Sequence, residues 1–166
     1  ASKERSGFKI RYMNLNNGID TLDVASVRTT NYADCREFLT AILTQEHDYK
    51  TLVVDAADDM ERILFEEVVR TAPANKDGSK INVIGDIGWN KGYEDALDYW
   101  KKFLDTLTMV RDKKGMEIVV LAQLDMKKYN DITGDSYEIY TPKLHGSTVK
   151  GDTSVSMFMG WADIVG

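Results

Sequence analysis

Tyr49–Glu61 reads YKTLVVDAADDME, and this stretch decides the fold class. Thr51, Leu52, Val53 and Val54 form a short apolar or β-branched run that ends in Asp55. Such a run reads as a buried parallel strand, with an acid at its C-terminal edge. Open α/β sheets bind their ligands at that edge. An aspartate there is placed to hold Mg²⁺, directly or through water, beside a nucleotide phosphate. A second acidic cluster, Asp58, Asp59 and Glu61, follows at once. It reads first as the acidic start of a helix, where the macrodipole favours negative charge. A metal ligand or a base is the alternative.

The pattern on either side alternates between strand and helix. Phe8 to Leu15 alternates loosely and predicts a strand ending at Asn14, Leu15 and Asn16, with Asn17-Gly18 as a turn. Tyr32 to Thr44 places Cys35, Phe38, Leu39, Ile42 and Leu43 at helical spacing behind Asn31, a candidate cap. Asp58 to Thr71 predicts a helix with Met60, Ile63, Leu64 and Val68 on one face. Ala72 to Gly88, with Pro73, Asp77-Gly78 and Gly85, reads as a loop long enough to suggest function or mobility. Tyr93 to Arg111 carries an apolar stripe from Ala96 to Val110 and a stop at Gly115. Met116 to Gln123 predicts a third strand. Met126 to Tyr140 predicts a hairpin or flap turning at Asp131 to Asp135, with Gly134 in the turn. A short helix is expected over Thr153 to Trp161, and the start of a strand at Asp163 to Gly166. This order predicts one three-layer α/β domain over residues 1–166, with a mainly parallel sheet.

Size and composition suit such a domain. The chain has 166 residues, 43% apolar and 29% charged, enough for a sizeable core. A net charge of −6 argues against a broad nucleic-acid-binding surface, though not against a local basic patch. One cysteine excludes an internal disulfide and suits a reducing compartment. No run approaches the roughly 18 apolar residues of a membrane span, and Ala1 to Gly18 has no secretory pattern. A cytoplasmic protein with no membrane partner is therefore expected.

Three strand ends should converge on one edge, bringing Asn14 and Asn16, Asp55, and Gln123. An acid beside amides makes a reasonable shell for a metal–phosphate ligand: the acid fixes the cation, and an amide orients water or senses a phosphate oxygen. The competing account makes Asp55 a helix-start acid, Gln123 a strand-end polar group, and the asparagines ordinary turn residues. His47 and His145 lack metal-ligand spacing with Cys35, and no GxSxG motif supports Ser/His/Asp chemistry. Lys127, Lys128, Tyr129, Tyr137, Tyr140, Lys143 and His145 interleave bases with aromatics, a pattern that tracks phosphates and stacks bases. Asp125, Asp131, Asp135 and Glu138 dilute it, and a solvated hairpin is the plainer account.

The order of YKTLVVDAADDMER, GWNKGYEDALDYWKKFLDTL, MEIVVLAQ with its lysine-containing flap, SYEIYTPKLHG and the terminal WADIVG resembles the phage RecA-like P-loop ATPases of the Sak4 single-strand annealing and recombination type. The resemblance spans Phe8 to Gly166. It implies a RecA-like P-loop NTPase-type domain that uses ATP and Mg²⁺ and handles single-stranded DNA. Asp55 would be the Walker B acid and metal ligand. Gln123 would be the polar sensor. Lys127, Lys128 and Lys143 would be the DNA contacts. Asn14 and Asn16 fall where the family has a nucleotide-site acid and the water-activating glutamate. An amide cannot act as a general base, so hydrolysis by this chain alone is not expected.

These residues hold no GxxxxGK[ST] loop, the phosphate cradle of the family. In a RecA-like sheet the strand before that loop lies beside the sensor strand. The expectation is that the N-terminal strand and P-loop are missing here, leaving Met116 to Gln123 with an open edge that invites self-association. Two further readings stand behind the ATPase one. The first is a non-enzymatic α/β binding or scaffold module, and the second a Mg²⁺-dependent phosphotransfer-type enzyme built on Asp55.

Overall fold

A computed structural model describes residues 10–16, 24–74, 78–88, 90–130, 136–146 and 153–165. Several expected features lie outside them: the start of the first strand at Phe8, the Asn17-Gly18 turn, and the turn at Asp131 to Asp135. The elements are β1 (Ile10–Asn14), β2 (Ser26–Arg28), α1 (Tyr32–Thr44), β3 (Thr51–Asp55) and α2 (Ala57–Thr71), followed by α3 (Lys91–Lys114), β4 (Glu117–Val120), β5 (Leu124–Asn130), β6 (Ser136–Pro142) and α4 (Ser154–Trp161). A four-stranded sheet runs β2-β1-β3-β4 with every pair parallel. β5 and β6 form a separate antiparallel hairpin. The fold is therefore α/β with a mainly parallel sheet of the RecA-like P-loop NTPase type.

β3 is internal, and its Leu52, Val53 and Val54 are all buried, as a strand covered on both faces requires. Met13, Leu52 and Val54 enter one core with side chains from all four helices. At its centre Trp100 is fully buried, with its ring edge-on to Phe103 and tilted against Phe158. α1 starts where Asn31 accepts the Asp34 N–H at 3.0 Å. α3 ends at Gly115, which takes the left-handed conformation at φ 61° that glycine adopts without strain.

The 72–88 segment is tied down at its far end. A 3₁₀ turn at Ile84–Asp86 sits against the start of α3. A Cβ on Gly92 would lie 2.8 Å from both the Ile84 side chain and its carbonyl oxygen, so this contact needs glycine.

Two sequence expectations change. β2 has three residues, one of them half-buried and two exposed, too little apolar pattern to announce a strand. Residues 163–165, expected to begin a strand, form none. Ile164 is 90% exposed, and no neighbouring strand among the described residues offers it a ladder.

Candidate functional site at the C-terminal edge of the sheet

In register, Asn14 lies directly opposite Asp55 at the ends of β1 and β3. The chain then turns at Leu15 and Asn16, and the Leu15 N–H donates to the Asp55 carbonyl at 2.8 Å. Asn14 is buried, and its Oδ1 accepts the Asn16 N–H at 3.2 Å. Asn14 thus shapes the turn that presents Asn16. The Asn16 amide donates to Asp59 Oδ2 at 3.0 Å and lies 3.5 Å from Asp55 Oδ1. One amide therefore bridges the strand-end aspartate and an aspartate in the first turn of α2.

The third strand end reaches the same helix. The Gln123 N–H donates to Asp58 Oδ1 at 3.2 Å. The Gln123 carbonyl accepts the Lys143 N–H at 2.8 Å, and Lys143 Nζ stands 3.5 Å from Gln123 Oε1. Lys143, just past β6, is thereby brought to the site edge. Three residues past β6, the His145 N–H donates to Glu61 Oε2 at 2.8 Å. Asp58 and Glu61, one helical turn apart on α2, thus hold the main chain just before and just after the hairpin.

Glu61 is only 7% exposed, and its Oε1 has no hydrogen-bond partner among the described residues. Burial pushes its carboxyl above the ordinary value; Ser154, the His145 N–H and Trp100 oppose that shift without cancelling it. The His145 ring stacks on Tyr93 at 4.0 Å. Burial first, then the positive charge of Lys127, lowers its pKa.

The three lysines expected to contact DNA do not share one face. Lys127 and Lys128 are successive residues on β5 and point to opposite sides of the ribbon. Lys127 Nζ donates to the Gly146 carbonyl at 3.0 Å and lies 3.9 Å from Asp125. Lys128 is exposed, opposite Glu138 on β6.

The sequence reading underweighted the acids of α2, which it took mainly for helix-start decoration. Asp58, Asp59 and Glu61 each hold a residue from another element. Their density directly after the strand end was the available signal.

A family model described as an AAA domain matches residues 7–166, nearly the whole chain. The chain belongs to the AAA domain family. Its α/β fold and the carboxylate that ends β3 agree with a P-loop ATPase-type domain. No curated protein and no solved structure matches the chain.

The donors present fit the protein's share of a Mg²⁺·ATP site. Among the described residues no three acidic, histidine or cysteine side chains could hold a metal alone. Mg²⁺ bound with phosphates keeps several waters and takes one or two protein carboxylates, which Asp55 and Asp59, bridged by Asn16, would supply. The metal would contribute charge neutralisation at the phosphates. No helix among the described residues is long and apolar enough to cross a membrane.

Proposed function

We propose that this chain is the nucleotide-handling domain of a phage DNA recombination protein of the Sak4 type. Asp55 holds Mg²⁺ of a bound ATP, Gln123 contacts or senses the nucleotide, and the β5–β6 hairpin meets single-stranded DNA through the exposed Lys128. The observation that carries this reading is the convergence of Asn16, Asp55, Asp59 and Gln123 on α2 at one sheet edge. The reading gives the chain binding without hydrolysis of its own. Asn16 is an amide that donates to the acids beside it, so it neither accepts a proton from water nor activates one.

That same contact favours a second reading, a non-enzymatic α/β module in which the amide neutralises the acidic edge as a structural bridge. Titration with a fluorescent ATP analogue separates the two. The ATPase-type reading expects a saturable signal with Mg²⁺ that EDTA abolishes. The scaffold reading expects none. Single-stranded oligonucleotide binding, followed by anisotropy, should weaken in Lys128→Ala; unchanged binding removes the hairpin from the DNA contact.

A further inference from the structure

Lys143 brings to the candidate site a cation that no acid neutralises. It is exposed, and among the described residues no ion pair engages its ammonium. The neighbouring cations are already engaged. Arg62 pairs with Glu66 and Asp59, and Lys127 donates to the Gly146 carbonyl. The ammonium of Lys143 instead stands 3.5 Å from Gln123 Oε1.

The main chain fixes where this pair sits. The Lys143 N–H donates to the Gln123 carbonyl at 2.8 Å, and the Gln123 N–H donates to Asp58 at 3.2 Å. The lysine stem therefore starts at the sheet edge rather than out on the hairpin. Lys128 lies further along β5, about 17 Å from Gln123 at about 3.4 Å per residue. The pair also has a defined polarity. An ammonium carries donors and no acceptor, so it meets the oxygen of the Gln123 amide and leaves the amide N–H groups for a ligand. Ammonium and amide are then two donors side by side, which suits an anion. The acids Asp55, Asp58 and Asp59 at the same edge repel a bare anion, so the ligand that fits brings its own cation to them. A magnesium-bound polyphosphate does both. In nucleotide sites the metal bridges the last two phosphates, and the remaining oxygens of the last one are open to protein donors. Only that last phosphate is missing from ADP.

We propose that Lys143 and Gln123 together hold the terminal phosphate of the nucleotide, and that Lys143 sets the preference for the triphosphate over the diphosphate. The assignment rests on the ATP reading above, and it moves Lys143 from the DNA contact to the nucleotide.

The test is competition of ATP and of ADP, each with Mg²⁺, against a fluorescent ATP analogue on the whole chain. The unaltered protein is expected to prefer ATP. Lys143→Met removes the ammonium and keeps both the stem and the main-chain bond to Gln123. It should weaken ATP about tenfold, which is about 1.4 kcal/mol, and leave ADP within about twofold. Lys143→Arg keeps the charge and should keep the preference. Lys113→Met removes an exposed charge at the opposite end of β4 and should change neither ligand. The side-chain amide resonance of Gln123 should shift with ATP and hold still with ADP. Equal losses of ATP and ADP in Lys143→Met, or an unchanged ratio, overturn the assignment while the ATP reading stands. Weaker binding of single-stranded DNA with ATP binding intact overturns it too, and returns the lysine to the DNA. If the unaltered chain binds neither nucleotide, the ATP reading itself fails and this assignment fails with it.

Discussion

Glu61 provides the most direct probe of how the hairpin is joined to the domain. Replacing it with alanine removes the acceptor of the 2.8 Å bond from the His145 N–H. A partly buried donor left without an acceptor costs about 1–3 kcal/mol. One methylene, Cγ, also leaves a site that is only 7% exposed, at about 0.8 kcal/mol. The sum is about 2–4 kcal/mol, which for a domain of this size lowers Tm by about 4–16 °C. Glu61→Gln keeps an acceptor oxygen and the packing but removes the titrating group, and should cost less than about 1 kcal/mol at neutral pH.

The pH dependence has a definite sign. Burial raises the folded-state pKa of Glu61 above its unfolded value, so between those two values the folded protein binds more protons. Stability attributable to Glu61 is therefore lost as pH rises through the folded pKa, and regained as pH falls toward the unfolded one. The glutamine variant lacks this slope. Relative to wild type it should be most favourable at neutral pH and lose ground as the medium is acidified. Circular-dichroism melts of the three proteins at two pH values measure all of this. If glutamine costs as much as alanine, or alanine costs under 1 kcal/mol, the acceptor role of Glu61 is wrong.

Other substitutions test the remaining parts. Asn16→Asp replaces the bridging amide with a third carboxylate beside Asp55 and Asp59; it should destabilise by about 1–2 kcal/mol without metal. It should also regain more Tm from Mg²⁺ than wild type does in a thermal-shift assay, and an equal gain refutes the shared acidic site. Lys127→Ala loses the bond to the Gly146 carbonyl and should lower stability by about 0.5–1.5 kcal/mol, whereas the exposed Lys128→Ala should leave Tm unchanged; denaturant melts distinguish them. Cys35 is buried, and burial pushes its thiol up to about 11. Ellman's reagent at mildly alkaline pH should find no reactive thiol in the native protein and one per chain in guanidinium; a fast native reaction would show that α1 opens.

The regular elements were legible because each carries its own local signal. α1 runs from Tyr32 to Thr44 as expected, since Asn31 caps it and the apolar spacing is helical throughout. β3 follows from an unbroken apolar run, and α3 from its stripe and Gly115. β2 was not legible: Ser26–Arg28 is an edge strand, and most of its support comes from β1, through pairing that periodicity does not record. At Asp163 to Gly166 the error was the reverse. Ile164 and Val165 have strand-like side chains, but residues 163–165 have no sheet neighbour among the described residues. In the candidate site, the pairing of Asn14 with Asp55 was implied by parallel strand ends. The side-chain roles were not, because they depend on how α2 is rotated relative to the strand ends. That rotation sets Asp59 against Asn16, Asp58 against the Gln123 N–H, and Glu61 against His145.

The account rests most heavily on Asp55 as the metal-holding acid of a nucleotide site. Isothermal calorimetry of ATP with Mg²⁺, on this chain and on Asp55→Ala, tests it most directly. The account predicts a measurable heat of binding for the unaltered chain that disappears in the variant, while both proteins keep the same circular-dichroism spectrum. Binding that survives the loss of Asp55, or no binding to either protein, would contradict it.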